Sequence, residues 1–126
     1  MKSAATIAVI GAGLAGLTCA RTLQAAGHDV IVFEKSRAAA GRMSTKRGES
    51  NTGEAWQCDT GAQYFTARDA AFQAEVQRWQ EAGVAAEWHP EIAVFGDIPA
   101  QVLTRPERRY VGSPRMTAPA RYLAET

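Results

Sequence analysis

Thr6-Ile-Ala-Val-Ile10-Gly11-Ala-Gly13-Leu-Ala-Gly16 is the stretch that decides how this chain folds. Its first five residues form a short, β-branched apolar run, which reads as a strand buried on both faces. Gly11 ends that strand. Leu14 to Ala26 then reads as a helix with Leu14, Leu17, Ala20 and Leu23 on one stripe, and Gly27 stops it. Asp29-Val-Ile-Val-Phe33 repeats the pattern of a buried strand. Strand, helix and strand in so short a span form a right-handed parallel crossover, so the fold class is α/β and Rossmann-like.

The glycines fit G-x-G-x-x-G, a pattern that is weak alone. Here it follows a strand, opens a helix and is completed by Glu34, 18 positions after Gly16. Each residue acquires a role. Gly11 turns the chain sharply off the strand, Gly13 lets a pyrophosphate approach the backbone, and Gly16 lets the helix pack tightly on the strand. The free amides of the first helical turn, those of Leu14 and Ala15 among them, face the phosphates beside Ala12, aided by the positive end of the helix dipole. Glu34 accepts hydrogen bonds from both ribose hydroxyls and disfavours a 2′-phosphate. The pattern suits NAD and FAD equally.

Outward from this unit, Lys35 to Gly53 is rich in Ser, Arg, Gly and Thr and reads as one long functional loop. Ala55-Trp-Gln-Cys58 reads as a short strand, and Gly61 marks a close backbone approach. Thr66 with Asp69 resembles a capping box for a helix that buries Phe72, Val76 and Trp79 and stops at Gly83. Val84–Trp88, Ile92–Phe95 and Arg109–Val111 read as short antiparallel strands. Thr117 is placed to cap a last helix with Pro119 in its first turn. That helix has run barely two turns at Thr126, which reads as a cut. The expected division is a nucleotide-binding unit over 1–66 and the start of an α+β substrate domain over 67–126.

Composition narrows the partners. The 126 residues carry 14 Lys and Arg against 13 Asp and Glu, a balance that gives no reason to expect nucleic acid or an anionic membrane. Cys19 and Cys58 form neither a disulfide framework nor a metal pattern, and are expected as two buried thiols in a reducing cytoplasm. The uncharged run from Ser3 to Ala20 is too interrupted by glycine for a secretory or membrane-spanning segment. His28 and His89 lack partners for acid–base chemistry, so no catalytic residue is assigned. Trp88 is expected to pack on a sheet, with a substrate pocket as the alternative. Arg105, Arg108 and Arg109 read as a solvated hairpin more readily than as an anion site. Nothing in the sequence reports the oligomeric state.

Glu34-Lys35-Ser-Arg37-Ala-Ala-Ala-Gly41-Arg42-Met43-Ser-Thr45 resembles the second fingerprint of the glutathione-reductase-type flavoproteins, which include the amine oxidases. In those families this loop wraps the FAD pyrophosphate, and a guanidinium such as that of Arg42 suits two phosphates. With Cys58-Asp-Thr-Gly61-Ala62-Gln63-Tyr64-Phe-Thr66 and Tyr110-Val-Gly112-Ser-Pro-Arg-Met116, the chain is similar to the renalase-like bacterial flavoproteins. The resemblance implies FAD as cofactor, with Ala62 and Gln63 beside the flavin ring. It further implies hydride transfer from a dihydronicotinamide-type or amine substrate, and reoxidation by oxygen to hydrogen peroxide. Ala40 stands where a second glycine is common, and Thr60 and Arg115 replace an expected His and Gly; at Arg115 a positive φ would be costly. Two other readings stay open: an incomplete piece with partial nucleotide binding, and an NAD-linked dehydrogenase.

Overall fold

In the computed structural model, which describes residues 5–90, 96 and 107–126, β1 (Thr6–Ile10) and β2 (Asp29–Phe33) pair in parallel across helix α1 (Leu14–Ala25). Their register runs from Thr6 opposite Asp29 to Ile10 opposite Phe33. The Gly11 amide extends the ladder by one bond to the Phe33 carbonyl at 2.7 Å. α1 ends as its composition requires: Gly27 takes φ +88°, and the His28 amide returns to the Leu23 carbonyl at 3.1 Å.

The expectation that both strands are buried on both faces is corrected. Their exposure alternates. Ile7, Val9, Val30 and Val32 are half-buried, and Val9 lies against the Gly16 side of α1. Ala8, Ile10, Ile31 and Phe33 point the other way and are exposed. One helix covers one face, and among the described residues nothing covers the other.

The stretch expected as a single loop contains a strand. β3 (Thr45–Glu49) pairs antiparallel with β4 (Ala55–Asp59), from Thr45 opposite Asp59 to Glu49 opposite Ala55. It lacks apolar alternation because both faces of the hairpin are largely solvated, so the pattern that reveals most strands is missing. Its order comes from the ladder, from the Ser50 hydroxyl accepting the Thr52 and Glu54 amides, and from Thr45 Oγ1 donating to Asp59 Oδ1 at 2.5 Å. Trp56 lies across Gly48, filling the space of the missing side chain.

Helix α2 (Ala70–Glu81) is capped by Asp69 itself, whose Oδ1 accepts the Phe72 amide at 3.0 Å. The capping role expected of Thr66 is thus corrected to a residue three positions later. Thr66 follows Phe65, which exchanges two backbone hydrogen bonds with Tyr110 and so keeps the chain extended there. β5 (Ala85–Trp88) and β6 (Arg109–Gly112) form the expected antiparallel pair; the expected strand at 92–95 and Arg105 lie outside the described residues. In α3 (Ala118–Glu125), Thr117 occupies the N-cap position without a side-chain bond, and Pro119 sits in the first turn. Arg115 has no positive φ, so its β-carbon carries no strain of that kind.

Phe65, Phe72, Trp79 and Tyr110 meet with ring centroids 5.8–6.1 Å apart. Trp79 itself, with Met116 and Val76 of the same cluster, is buried completely or nearly so. Ala120 and Leu123 of α3 and Leu17 of α1 belong to the same cluster, as do Ala12, Ala40 and Met43. One apolar core therefore runs from the glycine turn to the last helix, across residue 66. Cys19 and Cys58 are free but exposed, which corrects the expected burial: α1 shows Cys19 to solvent, and β4 is solvated on both faces. Among the described residues no helix is long and apolar enough to cross a membrane.

Candidate cofactor-binding site

The glycine turn sits at the mouth of α1. Gly13 is the N-cap with extended backbone, and no side chain caps the helix. The first intrahelical bond runs from the Leu17 amide to the Gly13 carbonyl, so the amides of Leu14, Ala15 and Gly16 have no partner within the helix. A β-carbon on Gly13 would meet nothing nearer than the Gly41 Cα at 4.0 Å, which leaves the space beside the turn open. A β-carbon on Gly16 would overlap the Gly11 carbonyl. The role expected of Gly16 is thus a steric fact.

Glu34 follows β2 directly and turns back onto the motif. Its Oε2 accepts the Ala12 amide at 2.7 Å, and its Oε1 accepts the Ser36 amide at 2.8 Å. The backbone amide of Ser36, then that of Ala12, hold its carboxyl below the usual carboxylate range. The carboxylate expected to face a ribose therefore also clamps the turn between β1 and α1. Each oxygen keeps further acceptor capacity toward a hydroxyl. Lys35 beside it is exposed.

Two distant segments close on this turn. The Ala40 amide donates to the Ala12 carbonyl at 3.0 Å, and Met43 donates back to Ala40 at 3.0 Å. Gly41 and Arg42 are exposed at the lip, and the Arg42 guanidinium makes no ion pair among the described residues. Met43 sends its side chain into the core, so it offers a ligand its backbone only. Ala40, where the family pattern favours glycine, takes φ +124° and is buried; among the described residues it is the non-glycine residue with positive φ. Next, the Thr60 and Gly61 amides donate to the Ser44 carbonyl at 3.1 and 3.3 Å, and Ala62 donates to the Arg42 carbonyl at 2.8 Å. A β-carbon on Gly61 would overlap that same carbonyl. Ala62 is half-buried against the core, whereas Gln63 is exposed. The structure thus brings together the glycine turn, Glu34, the 40–43 loop and the 61–62 segment.

From the turn a groove of about 1090 Å³ extends between α1 and α2, with Phe72, Trp79 and Leu123 in its walls. Glu75 ties the two helices there: it pairs with Arg21 at 3.7 Å and with Arg78, and accepts the Trp79 indole N–H at 2.8 Å. His28 and His89 stay apart from this site. His28 Nδ1 accepts the Ala5 amide at 3.3 Å, and His89 is exposed 4.0 Å from Glu87. Sequence reasoning did not find two features: the strained backbone of Ala40, hinted at only by its substitution for glycine, and the pairing of Tyr64 with Trp88. That pairing depends on a contact between segments with no sequence signal.

Among known proteins, the L-amino-acid oxidase of Siganus canaliculatus is 39% identical over 67 residues, covering 53% of this chain and 12% of that protein. The L-amino-acid oxidase of Demansia vestigiata is 42% identical over 55 residues, covering 44% of this chain and 10% of that protein. That of Vipera ammodytes ammodytes is 44% identical over 55 residues, covering 44% and 11%. The chain spans about a tenth of the length of these relatives. A family profile described as NAD(P)-binding Rossmann-like domain matches residues 9–79, from the end of the first strand to the buried Trp79. The chain belongs to that NAD(P)-binding Rossmann-like domain family.

Proposed function

We propose that the chain is the FAD-binding front portion of an amine-oxidase-like flavoprotein oxidoreductase. The observation that carries this reading is the convergence, by backbone hydrogen bonds, of the 40–43 loop and Gly61–Ala62 on an uncapped helix mouth. A bare Rossmann turn needs neither addition. The similarity to L-amino-acid oxidases supports the same class.

The residues fit a dinucleotide. The Leu14, Ala15 and Gly16 amides suit a diphosphate, into space that a Gly13 β-carbon would narrow. Arg42 is placed to add a planar cationic donor, and Glu34 to accept ribose hydroxyls while it keeps the turn in shape. The resemblance sets the flavin ring beside Gly61, Ala62 and Gln63. When bound, FAD supplies acceptance of a hydride from the substrate and passage of the electrons to oxygen, giving hydrogen peroxide. The protein contributes binding, orientation and a fixed electrostatic surround. The finer reading is a renalase-like enzyme acting on a small dihydronicotinamide-type or amine substrate. We place it in the cytoplasm, with residues 1–66 holding the cofactor and 67–126 opening the substrate domain.

A second reading is favoured by a specific observation. Ile10, Ile31 and Phe33 are 81%, 50% and 53% exposed on the open face of a two-stranded sheet. Such a face suits a unit that binds its nucleotide only in part when alone. The deciding experiment releases the cofactor from purified protein by denaturation and identifies it by mass. FAD is expected. NAD would make the chain an NAD-linked dehydrogenase, and protein that neither carries nor takes up a dinucleotide would be the partial unit.

A further inference from the structure

We infer that Tyr64, Trp88 and Arg109 form a recognition platform for a planar aromatic anion, and that Arg109 selects against cationic amines. This names the substrate class of the site proposed above. Its role in turnover rests on that reading, but its ligand binding does not.

The argument begins with the register. Trp88 of β5 lies directly opposite Arg109 of β6, so the two side chains share one face. The next pair, Glu87 and Tyr110, faces the other way. Phe65 pairs antiparallel with Tyr110 across the adjoining edge, which sets Tyr64 opposite Val111 and makes Arg109 its diagonal neighbour on the same face. The two faces differ in purpose. On one, Phe65 and Tyr110 stack at 5.8 Å and are sealed by Trp79. On the other, the Arg109 guanidinium carbon stands 5.1 Å from the Tyr64 ring centroid, and Tyr64 and Trp88 meet at 5.8 Å.

Both of these rings stay open to solvent, Tyr64 at 40% and Trp88 at 41%. An indole turned outward beside a phenol and a guanidinium offers stacking area together with a forked donor. Among the described residues the acids nearby are already engaged. Glu87 lies 3.9 Å from Arg108 and 4.0 Å from His89, and Glu107 bonds Arg68 at 2.5 Å. Among the described residues the charge presented within the aromatic face is therefore the guanidinium of Arg109, which favours an anion and disfavours an ammonium.

The platform also adjoins the proposed cofactor path. Ala62 is hydrogen-bonded to the 40–43 loop, and Tyr64 follows two residues later, within roughly 7 Å of chain. A ring seated on Tyr64 and Trp88 would thus lie beside the segment assigned to the flavin.

The test titrates the full chain with sodium benzoate, and separately with benzylamine, while following the Trp88 indole N–H resonance, assigned with Trp88→Phe. Benzoate is expected to shift that resonance and benzylamine to leave it in place. Arg109→Gln should weaken benzoate binding at least tenfold, roughly the loss of a charge-assisted bond. Arg109→Lys, which keeps the charge and loses the fork, should fall between. Equal response to both ligands, an unchanged affinity in Arg109→Gln, or no shift with benzoate overturns the proposal. No flavin is needed for the titration, so the two readings fail separately: colourless protein that binds benzoate sinks only the flavin, and yellow protein with a silent Trp88 sinks only the platform.

Discussion

The opening βαβ unit and the aromatic half of the chain are stabilised in opposite ways. In the first, the shape is set by main-chain geometry: a positive φ at Gly11, a glycine against a carbonyl at Gly16, and a carboxylate holding an amide. Its sheet has two strands and leaves one face to solvent. In the second, Val76 and Met116 are buried with Trp79, whose ring interlocks with those of Phe65, Phe72 and Tyr110. A ligand turn must leave amides unpaired and space unfilled, so it stores little packing energy of its own. The aromatic core supplies the rigidity the turn lacks, through Ala12, Ala40 and Met43.

The sharpest way to break this contrast is to remove the core. Trp79→Ala should cost about 3–5 kcal/mol, the usual range for a buried aromatic, read from the urea midpoint at constant slope. A loss below about 1 kcal/mol would mean that the aromatic half is not what holds the chain. Gly16→Ala attacks the other region by crowding rather than by a void. Its β-carbon meets a backbone carbonyl that cannot rotate away, so we expect about 1–3 kcal/mol of destabilisation. Nucleotide binding should be lost even where the protein still folds. Retained affinity in a folded Gly16→Ala protein would refute the proposed turn.

Glu34 sharpens the comparison through pH. Its carboxyl is held below the ordinary value of 4.5, chiefly by the Ser36 amide and then by that of Ala12. Its contribution is therefore fully present above about pH 4.5, the unfolded value, and is lost as pH falls through the lower folded value. Glu34→Gln should flatten this part of the acid limb in a stability–pH series and weaken dinucleotide binding near neutrality. An acid limb identical in the two proteins would mean that the clamp on Ala12 contributes nothing.

How much could be read in advance divides along the same line. The strand–turn–helix of residues 6–25 was legible because each step depends on a residue with a distinctive backbone property, Gly11, Gly16 or Gly27. Gly61 was legible for the same reason. The β3–β4 hairpin was not, since polar residues on two solvated faces give no periodicity. The cap of α2 was misplaced because Thr66 and Asp69 both satisfy the pattern, and the choice was made by the distant pairing of Phe65 with Tyr110. The open face of β1 and β2 reads as buried in the sequence because apolar composition says what prefers burial, not what is present to provide it.

Ala40 offers a smaller and opposite effect. Its φ of +124° costs a non-glycine residue about 1–3 kcal/mol. Ala40→Gly relieves that strain, gives up about 0.8 kcal/mol of buried methyl, and frees the unfolded chain by about 0.4–1 kcal/mol. Central values leave a net stabilisation of about 0.5 kcal/mol, within a span from about 0.8 kcal/mol of loss to about 1.8 kcal/mol of gain, measurable as a raised urea midpoint. A clear loss would show that the methyl packs the loop onto the turn more tightly than its backbone is strained.

The smallest effect belongs to the open face, and it separates the two readings of the chain. Ile10 is 81% exposed and stands opposite Phe33 at the end of the sheet. If the face is open in solution, Ile10→Thr removes apolar surface that water already touches, keeps β-branching, and should change stability by no more than about 0.5 kcal/mol. The same change should raise the concentration at which the protein begins to associate, because an exposed apolar sheet face favours self-contact. A cost above about 2 kcal/mol would mean that something buries Ile10 in solution, for which the comparison of dilute and concentrated samples gives the source. A concentration-dependent cost would point to a second copy of the chain. A constant cost would place residues of this same chain against the sheet, and the opening unit would then be packed on both faces after all.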